Sequence, residues 1–535
     1  MAIRLTQSTN ESRAVSAPTS SVEQTGQMTH REIMEALSGL LLAMFVAMLS
    51  STVVTNALPV IVTELQGTQT GYTWVVVSTM LAMTATTPVW GKMADLTSKK
   101  MLVQIALVIY SIGSLIAAFA DSMGVLIAAR VVQGLGVGGL TALVQIVIAT
   151  MVSPRERGRY SGYIGAVFAV ATVSGPLIGG LIVDSPLGWR GCFFIGLPFA
   201  IAAFVVLQRT LHLPVLRRDV SVDYLGATLI MGGVSSLLIW ISLAGSDFAW
   251  LSTTSYVLAG LGVTLIALAI VVEARFAAEP VIPLRLFKDR TTALATGASV
   301  VIGIAMFGAT VYLSQYFQYA RGMSPTEAGL MSIAMVGGLM VASLVSGRVI
   351  TRTGVWKRWL VGGAASVVLG LGLLSTIGAH TPLWLVGVYM AFVGLGMGAT
   401  MQNLVLAVQN NTPLRDMGSA SSVVAFFRTM GGSIGVAVLG TVLSHQVADN
   451  ITARVANLMA SGTLSAADVA QLEHRTGQIP DLDTLSPTLR AMYETSFGDA
   501  FGHIFAVAVP FAVIALVCVA LIREVPLRTT VDHES

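Results

Sequence analysis

Fourteen stretches of about 20 mostly apolar residues divide this chain, and that length limits what it can fold into. A run of that size crosses a hydrocarbon core as a helix, because inside lipid every backbone N–H and C=O must find its partner within the segment. The first run covers about 37–62. The others cover about 72–91, 101–120, 123–149, 160–183, 192–211, 224–244, 254–273, 294–317, 327–347, 358–378, 382–409, 419–443 and 500–522. Only 11% of the residues are charged, against about 25% in soluble domains. The expected fold class is an all-α polytopic membrane protein with 14 transmembrane helices. No phosphate-binding glycine loop, metal motif or nucleophile elbow stands out. An enzyme is therefore not expected, nor a cofactor, a metal or a nucleic-acid partner.

Charge alternates along the connections. Lys92, Lys99 and Lys100 follow run 2, Arg155, Arg157 and Arg159 follow run 4, and Arg217 and Arg218 follow run 6. Arg275, Arg285, Lys288 and Arg290 follow run 8, and Arg348, Arg352, Lys357 and Arg358 follow run 10. The intervening connections carry few cations. Short loops rich in Lys and Arg stay in the cytoplasm, so both termini are expected there, with the chain multi-pass in the cell membrane. The polar stretch 1–36 reads as a disordered cytoplasmic tail and 523–535 as a second tail. Between them lie a bundle at 37–212, two extra helices with linkers at 213–292, and a bundle at 293–522. The long external loop 444–499 is expected to carry a short helix at 465–473. Cys192 and Cys518 fall near opposite faces, so no disulfide is expected between them.

The stretch 126–139, LIAARVVQGLGVGG, puts an arginine at membrane depth, where a charge demands a partner, water or a role. Helical spacing sets Arg130, Gln133, Val137, Thr141 and Gln145 on one face, and Gly134, Gly136, Gly138 and Gly139 permit close packing. Two readings stay open: an arginine bonded to backbone carbonyls, or a polar face lining a translocation cavity. The aspartates and glutamates avoid mid-run positions. Glu64, Asp121, Asp184, Asp223, Glu273 and Glu327 stand at ends, which leaves Arg130 as the main formal charge at depth.

Runs 1–6 and 9–14 echo each other. Gly91-Lys92 matches Gly347-Arg348, the segment 95–98 matches 351–354, and the pair Gly175, Gly179 matches Gly431, Gly435. Two related six-helix bundles form a transporter plan.

Several segments then carry a family likeness: LSSTVVTNALP at 49–59, GKMADLTSKK at 91–100, RVVQGLGVGG at 130–139, SPRERGR at 153–159 and SGPLIGG at 174–180. WRGCFFIGLP at 189–198 and YLSQYFQYARGMSPTEAGL at 312–330 extend it. In that order, the chain resembles the major facilitator superfamily, in its fourteen-helix drug:proton antiporter branch. It departs in carrying Ser50 where the branch commonly has aspartate, Thr55 where asparagine is common, and Leu96 and Ser98 in the first cytoplasmic motif.

The resemblance implies two six-helix bundles around a central path lined by runs 1, 4, 9 and 12. On those runs the candidate substrate-cavity residues are Ser50, Thr52, Thr55, Asn56, Arg130, Gln133, Tyr312, Gln315, Gln402 and Asn403, with Met397 and Met401 beside them. It implies gating roles for Asp95, Arg155, Arg157, Gly175, Pro176 and Gly179. Asp95 is expected to stabilise one end state, through the N-terminus of run 11 or the arginines that follow run 4. His503 reads as interfacial. The function implied is export of small amphipathic organic compounds (drugs, antibiotics or metabolites) by a secondary active carrier acting as a monomer, with the proton as coupling ion. With Arg130 at depth and no carboxylate beside it, neutral or anionic substrates are expected over dications. The alternatives are a facilitator or uptake carrier, a membrane-embedded enzyme, or a non-transporting lipid-binding protein.

Overall fold

The computed structural model describes residues 30–66, 69–183, 185–211, 213, 223–245, 248–277, 280–461 and 485–528. Fourteen long helical segments cross it in sequence. In the first half they are α1 (His30–Glu64), α2 (Gln69–Leu96), α3 (Lys99–Ala118), α4 (Met123–Met151), α5 (Pro154–Val183) and α6 (Gly188–Thr210). The inserted pair is α7 (Tyr224–Leu243) and α8 (Thr253–Arg275). The second half holds α9 (Arg290–Ala320), α10 (Pro325–Met331 and Ile333–Thr353), α11 (Lys357–Leu374), α12 (Leu383–Asn411), α13 (Met417–Ala460) and α14 (Pro487–Leu521). Among the described residues, 12 helices are long and apolar enough to cross a membrane. The other two, α2 and α5, carry more Thr, Ser and Gly and lie where the halves meet.

The halves repeat one packing scheme. Helix α4 packs on α2 and α3, α5 on α1, and α6 on α1 and α3; correspondingly α12 packs on α10 and α11, α13 on α9, and α14 on α9 and α11. Small residues set this closeness. A methyl group at Gly134 or Gly138 would stand 2.6 or 2.7 Å from the carbonyl oxygens of Thr79 and Met83 on α2. Gly394 and Gly398 of α12 meet the carbonyls of Met335 and Leu339 on α10 in the same way. Apolar cores fill each half, and Phe168 of α5 packs against the cores of both. The inserted pair lies against α2 and α13, with Ala227, Ile230, Val234 and Phe426 in a shared apolar cluster.

The two sequence-related loops end their helices differently. α10 stops at Gly354, whose φ of 75° is the left-handed conformation that glycine adopts without penalty. In the equivalent loop Ser98 instead caps α3, accepting from the Met101 amide at 3.4 Å, which accounts for the departure from glycine there.

Hydropathy misplaces some boundaries. Helix α1 starts at His30, inside the expected tail, where an Arg31–Glu35 pair supports its first turns. The expected loop 444–499 is in part helical. α13 has 44 residues, about 66 Å of helix, and it outruns any bilayer core. Residues 444–460 thus continue the helix, while 487–499 belong to α14. The two extensions are tied by Asn450 Nδ2 to the Ser496 carbonyl (3.0 Å) and by Arg454 to Asp499 (2.6 Å). Charged residues end a hydropathy peak without ending a helix. The short helix expected at 465–473 lies outside the described residues. His503 is exposed, well inside α14. Cys192 and Cys518 are free thiols.

Candidate functional site

The basic loops of the even-numbered helices gather at one end of the molecule, and there the two halves are locked together. Helix α13 starts at Met417, and its N-cap residue Asp416 gives it no side-chain cap. The Asp416 carboxylate is turned instead to Arg285 of the α8–α9 linker, at 2.7 Å. The missing cap comes from the other half. Asp95, near the end of α2, accepts from the Gly418 amide (2.7 Å), the Ser419 amide (2.8 Å) and the Ser419 hydroxyl (2.8 Å). A carboxylate at a helix N-terminus is favoured by the free N–H groups and by the helix dipole. Gly91, one turn before Asp95, lets the backbones meet, since a Cβ there would run into Ser422 and the Gly418 carbonyl.

The expected partner of Asp95 is thereby corrected. It is the N-terminus of α13, because the free amides at the start of α11 are already taken. Trp356 and Lys357 donate theirs to Glu524 at 2.9 and 3.1 Å. Lys92, expected in the loop, sits inside α2 and is buried.

A second cross-half link lies beside the first. Arg157 of α5 donates to the Val152 carbonyl (2.8 Å), to the Ala149 carbonyl, and across the seam to Gln409 Oε1 of α12 (2.9 Å). Gln409 in turn donates to Ser421 of α13 at 2.8 Å. Gly162 and Gly165 of α5 press on Leu344 and Ser343 of α10. The side chains of Arg155 and Pro176 lie outside the described residues. Gly175 packs directly on Thr52, and Gly179 is buried one turn on.

Between the halves lies a small cavity of about 10 Å³, bordered by Met44, Phe168, Met397, Met401 and Gln402, room for about one water. Gln402, Met397 and Met401, three of the expected residues, border this cavity. Other expected cavity residues are engaged within their own half. Arg130 donates to the Val75 carbonyl (3.3 Å) and to Gln133, which donates to Ser50 (2.9 Å) and Ser114 (2.8 Å). This network joins α1, α2, α3 and α4. Of the two readings open for Arg130, the geometry matches the structural one. Thr52 donates to the Ala171 carbonyl at 3.3 Å, Tyr312 to the Val436 carbonyl, and Asn403 to the Ala399 carbonyl at 2.7 Å. Gln315 is half-buried, and the side chains of Thr55 and Asn56 lie outside the described residues.

One residue escaped the sequence reading. Arg428 lies well inside run 13 and is 7% exposed, so Arg130 is not the main charge at depth by itself. The signal was present: FFRTMGG sets an arginine in a run with no acidic residue near it.

Residues 40–436 match the family model of the Major Facilitator Superfamily. The chain is 33% identical over 509 residues to the "Efflux pump dotC" of Dothistroma septosporum, covering 94% of this chain and 85% of the relative. It is 32% identical over 445 residues to the "Multidrug transporter protein MdtP" of Bacillus subtilis (strain 168), covering 83% and 81%. The crystallised proton:xylose symporter XylE shares the fold, with a TM-score of 0.57 at 12% identity, covering 90% of this chain and 95% of that one.

Proposed function

The chain belongs to the major facilitator superfamily, and from that premise we propose that it is a secondary active exporter of small amphipathic organic molecules, a proton antiporter of the superfamily's fourteen-helix branch, working by alternating access. The observation that carries this reading is the lock at the basic end. Positive residues mark the cytoplasmic side, so Asp95 on α13 and Arg157 on Gln409 close the path toward the cytoplasm. Two bundles joined by a few breakable bonds at one end are built to rock about a central site. Gly175, packed on Thr52 between α1 and α5, belongs to the gate. The Met397, Met401 and Phe168 surfaces at the centre suit adaptable apolar ligands, and the polar residues nearby favour neutral or anionic ones. The exporter acts as a monomer in the cell membrane. The names of the two relatives, an efflux pump and a multidrug transporter, support the direction of transport.

Energised inside-out vesicles bearing the protein should accumulate members of a chemically diverse amphiphile panel, and a protonophore should abolish the uptake. Accumulation that persists undiminished with the protonophore would remove proton coupling, and no accumulation of any compound would remove the exporter reading. Lys99→Cys should resist labelling from outside intact cells; labelling there would overturn the sidedness.

A further inference from the structure

Arg428 is buried in α13, and its guanidinium has no hydrogen bond or ion pair among the described residues. A buried cation without a counter-charge is strongly disfavoured, and in a membrane helix it marks a functional position. The helix register shows what it faces. α12 ends and α13 begins at the basic end, so the two run antiparallel, and Gln409 meets Ser421 at 2.8 Å. Seven residues from each, moving away from that end, are Gln402 and Arg428. Seven residues are close to two helical turns, so both keep the same faces, about 10 Å deeper than the Gln409–Ser421 bond. Gln402 borders the central cavity. On the other flank Gly431 of α13 packs against Val300 of α9. Gly303, further along the same helix, meets the Arg428 carbonyl, which fixes Arg428 beside the middle of α9.

A guanidinium and an amide, both able to donate, thus fall at one level on two adjacent helices. We infer that Arg428, with Gln402 beside it, binds a carboxylate on the exported molecule. The planar fork of an arginine matches the two oxygens of a carboxylate. This rests on the exporter reading and names its substrate class.

The test uses three probes that share one apolar body: 1-pyrenebutyrate, its methyl ester, and the corresponding trimethylammonium compound. Binding to the purified full-length protein is followed by pyrene fluorescence. The wild type should prefer the carboxylate to the ester and the ester to the cation. Arg428→Gln should weaken carboxylate binding about tenfold or more, the loss of a charge-assisted bond, and leave the ester within about twofold. Arg428→Lys should keep part of the preference. Equal loss of acid and ester would make Arg428 merely structural and overturn the inference. So would a wild type that binds the ester or the cation as well as the acid, a result that needs no variant and leaves the exporter reading to the vesicle panel.

Discussion

The two seams between the halves are made from related segments and are built differently. Between α2 and α13, a carboxylate from one half caps the open helix of the other, and Gly91 lets the chains touch. Between α10 and α5, the position matching Asp95 is Thr351, whose hydroxyl turns back to the Gly347 carbonyl of its own helix at 2.8 Å. There the contact is made by Gly162 on Leu344 and Gly165 on Ser343. Charge-assisted bonds to a helix N-terminus break as a unit when the helices part, whereas small packed surfaces can slide. Among the described residues, one seam is thus held by a capped helix N-terminus, and the other shows packed small residues. The inserted helices strengthen the distinction, since their linker holds Asp416 through Arg285 and leaves the α13 amides free for Asp95.

The largest effect should come from filling the latch. Gly91→Leu drives a side chain into Ser422 and the Gly418 backbone, an overpacking of at least about 1–3 kcal/mol. Transport should fall to background while the protein stays monodisperse in detergent; near-normal transport would mean the seam never closes as described. Asp95→Asn comes next. It loses the charge that three donors share, about 1.5–3 kcal/mol, enough to shift a balanced two-state equilibrium tenfold or more. Transport should drop well before thermal stability does.

Asp95 was legible through the family likeness of GKMADLTSKK at 91–100, which implies a gating role for it. Its partner was not, because the competition was settled by Glu524, far along the chain, which satisfies α11 and leaves only α13 open. The fourteen helices and the repeat were legible from apolar runs of bilayer length. The extension of α13 to Ala460 was not, since hydropathy reports lipid contact and not helix. Arg130 drew attention as a charge in an apolar run, yet Gln133, three residues on along the same helix, satisfies it locally. Arg428 has no such neighbour, which makes it the more informative arginine.

A smaller effect should come at the second cross-half link. Gln409→Leu removes one acceptor from Arg157, which keeps its bonds to Val152 and Ala149, and one donor to Ser421, against the three bonds held by the Asp95 charge, so the closed state should lose less than in Asp95→Asn. A transport assay across an ion gradient should show a modest slowing; a loss as deep as that of Asp95→Asn would make the arginine the main latch.

The most direct test measures the basic end itself. Spin labels at Met101→Cys on α3 and Thr353→Cys on α10, both exposed, are introduced with Cys192 and Cys518 replaced by serine. Distances are then read by pulsed electron resonance in lipid nanodiscs. With Asp95 present, a short-distance population should dominate. In Asp95→Asn the ratio of long to short distances should rise about tenfold, matching the loss of about 1.5–3 kcal/mol. Identical distributions with and without the Asp95 carboxylate would contradict the latch.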